Sequence, residues 1–288
     1  MRKWIAFICL FVCFFAYAQQ KHAFVVAVSE YPSQSGWSKI HSNNDAAILA
    51  PELQRLGFHC TVLLNEQATQ KNILHQLDSL ERRLVKGDYV VLHFSCHGQQ
   101  MEDDNGDEID KLDEALIPYD AAHIYNKGIY EGESHLRDDE LERHLMRIRK
   151  QLGEPGSLFV TLDACHSGTA NRIEEYQEDE EAPVRGSSSV FSSDPFFLSP
   201  EIKKVERNTE LPHLKGYSPV CVISACQPFQ RNFETKVDRQ YYGTLSYSLY
   251  QVLTNCDKWN PSLYPMVLDN AKRLSIKQIP MIESTYSF

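Results

Sequence analysis

The sequence predicts an α/β fold, a mostly parallel central sheet of about six strands in an α/β/α sandwich. Three observations carry that expectation. Short apolar runs, such as Tyr89-Val90-Val91-Leu92 and Leu158-Phe159-Val160, have the length of buried strands. Segments with helical spacing alternate with these runs. Glycines such as Gly57 and Gly87 close the helical segments.

The elements follow in order. A strand is expected over 23–28, then a helix over 44–56 that ends at Gly57. A second strand covers 59–64. Residues 69–85 have helical spacing, with Thr69 as the cap and Gly87 as the stop. The third strand is 89–95, followed by a charged amphipathic helix over 138–152. Strands over 158–164 and 220–225 come next, then a helix over 245–254. A helix over 265–274 and a last strand over 279–282 complete the set. Two stretches interrupt the alternation. Residues 103–114 form an acidic insertion, and 172–211 form a long polar stretch expected to be an exposed loop.

The first 18 residues have the pattern of a secretory signal peptide. Arg2 and Lys3 precede an apolar run, and Ala16-Tyr17-Ala18 offers a small-residue cleavage pattern before Gln19. The expectation is an exported chain, periplasmic or secreted, with one domain over 19–288 and no stable membrane anchor. The formal charge of −10 argues against nucleic acid as a partner. The cysteines are scattered with no C-x-x-C pair, so a zinc ribbon is not supported. Export permits disulfides, and the spacing leaves the pairing of Cys60, Cys221, Cys226 and Cys256 open.

Two strand ends carry the chemistry. Tyr89 to Ser95 leads to Cys96-His97-Gly98, and Ser157 to Asp163 leads to Ala164-Cys165-His166-Ser167-Gly168. In an open α/β sheet, sites form beyond the carboxyl ends of the strands. A thiolate and a nearby imidazole are the two working parts of a thiol peptidase. Cys165 is therefore the expected nucleophile and His97 its acid–base partner. The backbone N–H groups of Gly98 and Cys165 are candidates for an oxyanion hole. Strand alternation places Ser95 with His97 and Asp163 with Cys165. A partly buried carboxylate at 163 calls for a cation, which a substrate arginine or lysine would supply. His93, His166, Cys96, Cys221 and Cys226 are read as structural.

These motifs resemble the metacaspases within the caspase-like cysteine peptidases. The resemblance rests on Ser95-Cys96-His97-Gly98, Asp163-Ala164-Cys165-His166-Ser167-Gly168, Asp107-Glu108, the segment from Asp113 to Asp120, Asn44-Asp45-Ala46 and Ser224-Ala225-Cys226. It covers most of the chain from Lys21 onwards. The interval from His97 to Cys165 exceeds the roughly 50 residues of simple caspases, and the acidic segment accounts for the excess. The resemblance implies a caspase-like sheet, a His97/Cys165 dyad and cleavage of proteins or peptides after arginine or lysine. It implies a basic-residue pocket from Asp45, Ser95 and Asp163. Calcium is the cofactor it raises, with Asp113, Asp138 and Asp139 as ligands, although Arg172 stands where the family has a further carboxylate. The acidic run itself does not have EF-hand spacing.

The resulting expectation is a monomeric cysteine endopeptidase. Self-processing would fall in the long loop, at Arg172, Arg185, Lys203 or Lys204, all taken as exposed. The alternatives are a non-catalytic caspase-like scaffold and a legumain-like hydrolase with another P1 preference, P1 being the residue before the cut bond.

Overall fold

Alternation within buried strands decides how the chain layers. In β1 (Lys21–Ala27), Ala23, Val25 and Ala27 enter one apolar cluster, and Phe24 and Val26 enter another. Both faces of the strand are covered, as a parallel sheet requires. The computed structural model describes residues 19–287 except 104, 107–110, 166–181, 195, 198–208 and 276. The expected signal peptide lies outside the described residues.

After β1 come α1 (Ser42–Arg55), β2 (His59–Leu64), α2 (Gln70–Arg83) and β3 (Tyr89–Ser95). The Thr69 side chain caps α2 by accepting the Asn72 N–H at 3.3 Å. An antiparallel hairpin, β4 (Gly98–Glu102) and β5 (Leu112–Leu116), then joins β6 (Leu136–Arg137) in a separate three-stranded sheet. Next are α3 (Asp138–Leu152), β7 (Ser157–Asp163), β8 (Thr209–Glu210) and β9 (Val220–Ser224). A second hairpin, β10 (Glu234–Val237) and β11 (Gln240–Gly243), precedes α4 (Thr244–Thr254), α5 (Leu263–Leu274) and β12 (Met281–Ser284).

Among the described residues the main sheet has seven strands in the order β2-β1-β3-β7-β9-β12-β8. Strands β2, β1, β3, β7 and β9 run parallel, and β12 is antiparallel to β9. The seventh strand is the two-residue β8, too short to leave a signal in the sequence. Helices α1, α4 and α5 cover one face through Leu49, Leu53, Leu249, Val252 and Val267. Helices α2 and α3 cover the other through Ile73, Leu77, Leu80, Ile148 and Leu152. No helix among the described residues is long and apolar enough to cross a membrane. Among the described residues, Cys60, Cys96, Cys165, Cys221, Cys226 and Cys256 form no disulfide.

At the end of the acidic stretch, Leu112, Asp113 and Glu114 belong to β5, and the first two are buried. One expectation needs correction. The stretch 172–211 is not simply an exposed loop. Its residues Arg185, Ser187 and Phe191 are buried, and Phe191 packs with Met101 and Ala115 of the hairpin. Thr209 and Glu210 add to the sheet edge beside β12.

Candidate active site

Parallel register brings the carboxyl ends of three strands together. Ala27 of β1 stands beside Ser95 of β3, and Ser95 beside Asp163 of β7. His97 and Cys165, each two residues further on, therefore follow at the same carboxyl end of the sheet. Ser95 and Asp163 are both fully buried at that end of the sheet.

That end is filled by the chain's own residues 183–191. Pairing is through backbone on both sides of Gly186. Glu234 N–H donates to Pro183 O at 2.9 Å, and Arg185 N–H donates to Asn232 O at 2.9 Å. Beyond Gly186, Ser187 N–H donates to Gly98 O at 3.1 Å, and Phe191 N–H to Gln100 O at 2.8 Å. Between them, Cys165 N–H donates to the Arg185 carbonyl at 2.7 Å. The Cys165 N–H, expected as an oxyanion donor, is thus bonded to that carbonyl. Gly98, the other expected donor, meets the segment through its carbonyl. A Cβ on Gly186 would run into the backbone of Cys165, so only glycine permits this close approach.

The Arg185 side chain enters a carboxylate pocket and is fully buried. This corrects its expected exposure; Arg172, Lys203 and Lys204 lie outside the described residues. Its Nη1 donates to Asp45 Oδ2 and to Ser95 Oγ, each at 2.7 Å, with Asp163 Oδ1 at 3.6 Å. Its Nε and Nη2 donate to Glu234 Oε1 at 3.0 and 2.9 Å. A guanidinium this deep requires such pairing, since a lone buried charge is costly. The three carboxylates in turn hold its proton more firmly than water does, against the opposing effect of burial.

Each carboxylate has its own support. Asp45 Oδ1 accepts Gly243 N–H at 3.0 Å, and Oδ2 accepts Ser95 Oγ–H at 2.7 Å. Burial nevertheless pushes its pKa up to about 6. Burial also acts to raise Asp163. The Arg185 charge and hydrogen bonds from Asn232 and Ser246 outweigh it, and its pKa falls below the ordinary value. Glu234 accepts His41 N–H at 2.8 Å, and its Oε2 lies 2.6 Å from His41 Nδ1. Sequence reading missed Glu234, Gly243, Asn232 and Ser246. Glu234 and Gly243 are register partners across the β10–β11 hairpin. The turn Asp238-Arg239 was the available signal for that hairpin.

His97 is held from three sides. Its ring stacks on Trp37 with centroids 4.8 Å apart. Its Nε2 lies 2.9 Å from Ser38 O, and its backbone N–H donates to Tyr31 Oη at 3.1 Å. A carbonyl partner fixes the proton on Nε2, which leaves Nδ1 as the basic nitrogen. That Nδ1 is buried and has no hydrogen-bond partner among the described residues. Burial pushes the ring pKa down to about 4, so the imidazole is neutral near pH 7. Cys165 Sγ lies 3.1 Å from Gln230 O, and Cys226 Sγ lies 3.5 Å from the same carbonyl. His93 is structural: its ring bridges Thr161 Oγ1 at 2.7 Å and Ser246 Oγ at 3.3 Å. His166 lies outside the described residues. Cys96 is buried, and burial pushes its thiol up to about 12.

A caspase-domain family model matches residues 20–287. The chain belongs to the caspase-domain family. Among curated relatives, this caspase domain is 28% identical over 215 residues to Metacaspase-2 of Arabidopsis thaliana, covering 68% of the chain and 48% of that protein. It is 37% identical over 126 residues to Metacaspase-3 of the same plant, covering 41% of the chain and 32% of that protein. The chain spans about half the length, or less, of the curated relatives it matches. Among solved structures, a Geobacter sulfurreducens protein aligns with a TM-score of 0.63 at 21% identity, covering 93% of this chain and 94% of that one. Caspase-1 of Spodoptera frugiperda aligns with a TM-score of 0.51 at 13% identity, covering 93% and 87%. These two likenesses show the fold.

Among the described residues, the acidic residues raised for calcium have other partners in this structure. Asp113 is buried with its carboxylate on Arg137 Nη1. Asp138 Oδ1 accepts Asp139 N–H at 3.1 Å, and Asn105 donates to Asp139 Oδ2 at 2.6 Å. Arg137 brings a fixed cation to the carboxylate that calcium would need. Among the described residues no three His, Cys, Asp or Glu side chains come together as a metal site.

Proposed function

We propose that this caspase domain is an exported, monomeric cysteine endopeptidase that cuts proteins after basic residues, and that its first substrate is its own Arg185–Gly186 bond. One observation carries the reading: the Arg185 guanidinium fills the carboxylate pocket while its carbonyl accepts the Cys165 N–H at 2.7 Å. A substrate would be gripped by the same two contacts, one selecting the side chain and one stabilising developing charge. Export is supported by the basic, apolar and small-residue pattern of residues 2–18.

The chemistry uses the thiol and the imidazole and draws on no cofactor. Neutral His97 takes the Cys165 thiol proton, and the thiolate adds to the Arg185 carbonyl carbon. The oxyanion forms against the Cys165 N–H. His97 then returns the proton to the Gly186 nitrogen as the carbon–nitrogen bond breaks. Water hydrolyses the resulting thioester, with His97 accepting its proton, and leaves a free carboxylate on Arg185. Three carboxylates in the pocket disfavour aspartate or neutral asparagine at P1 relative to a cation.

Incubating the full chain and its Cys165→Ala variant tests this. The expected outcome is a time-dependent pair of fragments in the wild type, with one new amino terminus, at Gly186, by sequencing, and an intact variant. Cleavage at another bond, or equal cleavage in both proteins, would overturn the assignment.

A further inference from the structure

The guanidinium of Arg185 is read at two separate edges. Its Nη1 serves Asp45 and Ser95, whereas its Nε and Nη2 converge on a single oxygen, Glu234 Oε1. Glu234 has no exposed side-chain surface. Its other contacts are the backbone N–H and ring Nδ1 of His41, so its position is fixed from the far side.

We infer that Glu234 makes the pocket selective for arginine over lysine at P1; this rests on the basic-P1 reading above. A lysine offers one nitrogen on a shorter stem. That nitrogen can reach the Asp45 and Ser95 end or Glu234, not both. Whichever end it leaves is a buried carboxylate without its cation, and such a loss discriminates strongly between two ligands. Arginine satisfies both ends because its donors diverge from one rigid plane. Glu234 is thus a specificity-determining residue that acts by charge and by geometry.

The test compares kcat/KM for two fluorogenic peptides differing only in Arg or Lys at P1, with the wild-type chain and with Glu234→Gln. The wild type is expected to favour arginine at least tenfold. Glu234→Gln is expected to lose at least tenfold on the arginine peptide and to lose no more than threefold on the lysine peptide. A purely structural role would lower both peptides together, and that result would overturn the inference. Equal wild-type rates on the two peptides would also overturn it while leaving the basic-P1 reading intact. Cleavage after neither residue would remove the reading and the inference with it. Arg185→Lys, with Glu234 untouched, gives a second readout should the Gln variant fold poorly. Self-processing at position 185 is expected to slow at least tenfold, and an unchanged rate would overturn the inference.

Discussion

A Cβ at position 243 would overlap the Asp163 carboxylate and the Arg185 guanidinium. Gly243 is therefore the wall of the pocket, and its missing side chain is the space the guanidinium occupies. Its N–H also holds Asp45 in place at 3.0 Å. Gly243→Ala is expected to lower kcat/KM for an arginine peptide by about a hundredfold or more, on the scale of a lost buried charge pair. The loss should fall mainly on KM, since Cys165 and His97 are untouched; a near-normal KM would remove Gly243 from the pocket. Asp163 and Ser95 were legible from strand alternation, because a two-residue period converts position into direction. Glu234 was not. It lies far along the chain, and its role arises only where the β10–β11 hairpin folds it against α1. Arg185 was readable as a basic residue, but its burial follows from residues 183–191 threading between Asn232 and Gly98, a pairing that no local pattern encodes.

The β10–β11 hairpin turns tightly at Asp238 and Arg239, both with positive φ, 48° and 70°. Two residues in the left-handed region match the twist of a two-residue hairpin but strain any residue with a Cβ. Arg239→Gly removes that strain at the cost of a more flexible unfolded chain. A net gain of about 0.5 kcal/mol is expected, seen as a rise in thermal midpoint of about 1–2 °C. A fall would mean that the Arg239 side chain makes a contribution larger than the strain. The same element shows why boundaries were harder to read than existence. The main-sheet strands announce themselves as apolar runs, whereas β10 and β11 are polar edge strands with Thr235 and Lys236 among them. Strand β8 is shorter still and is set by its partner β12 instead of by its own residues.

At the scale of the whole molecule, buried histidines set the acid limit of stability. Burial pushes His93 and His97 down to about 4 and His135 down to about 3. In the unfolded chain these rings return to about 6.5. Between pH 6.5 and 4 the unfolded chain therefore binds protons that the folded chain refuses, and stability falls as pH falls. Asp163, held below its ordinary value, adds to the loss at still lower pH. Asp45 opposes it, because its raised pKa of about 6 lets the folded state keep a proton that the unfolded state releases. Three rings outweigh one carboxylate, and the net loss is expected to be on the order of 5 kcal/mol by pH 4. Urea midpoints of the Cys165→Ala chain from pH 7.5 to 4 check this. A flat or rising profile would contradict it.

Residues 183–191 are fastened on both sides of Gly186 by backbone pairing and at Arg185 by the carboxylate pocket. Hydrolysis at Gly186 severs one covalent link and none of those attachments. The newly made end would stay seated as a product whose residence time is set by dissociation alone. On the proposed reading, the delay before the enzyme turns over any other protein is a release clock. Such a clock runs within one molecule, so its lag should be independent of protein concentration.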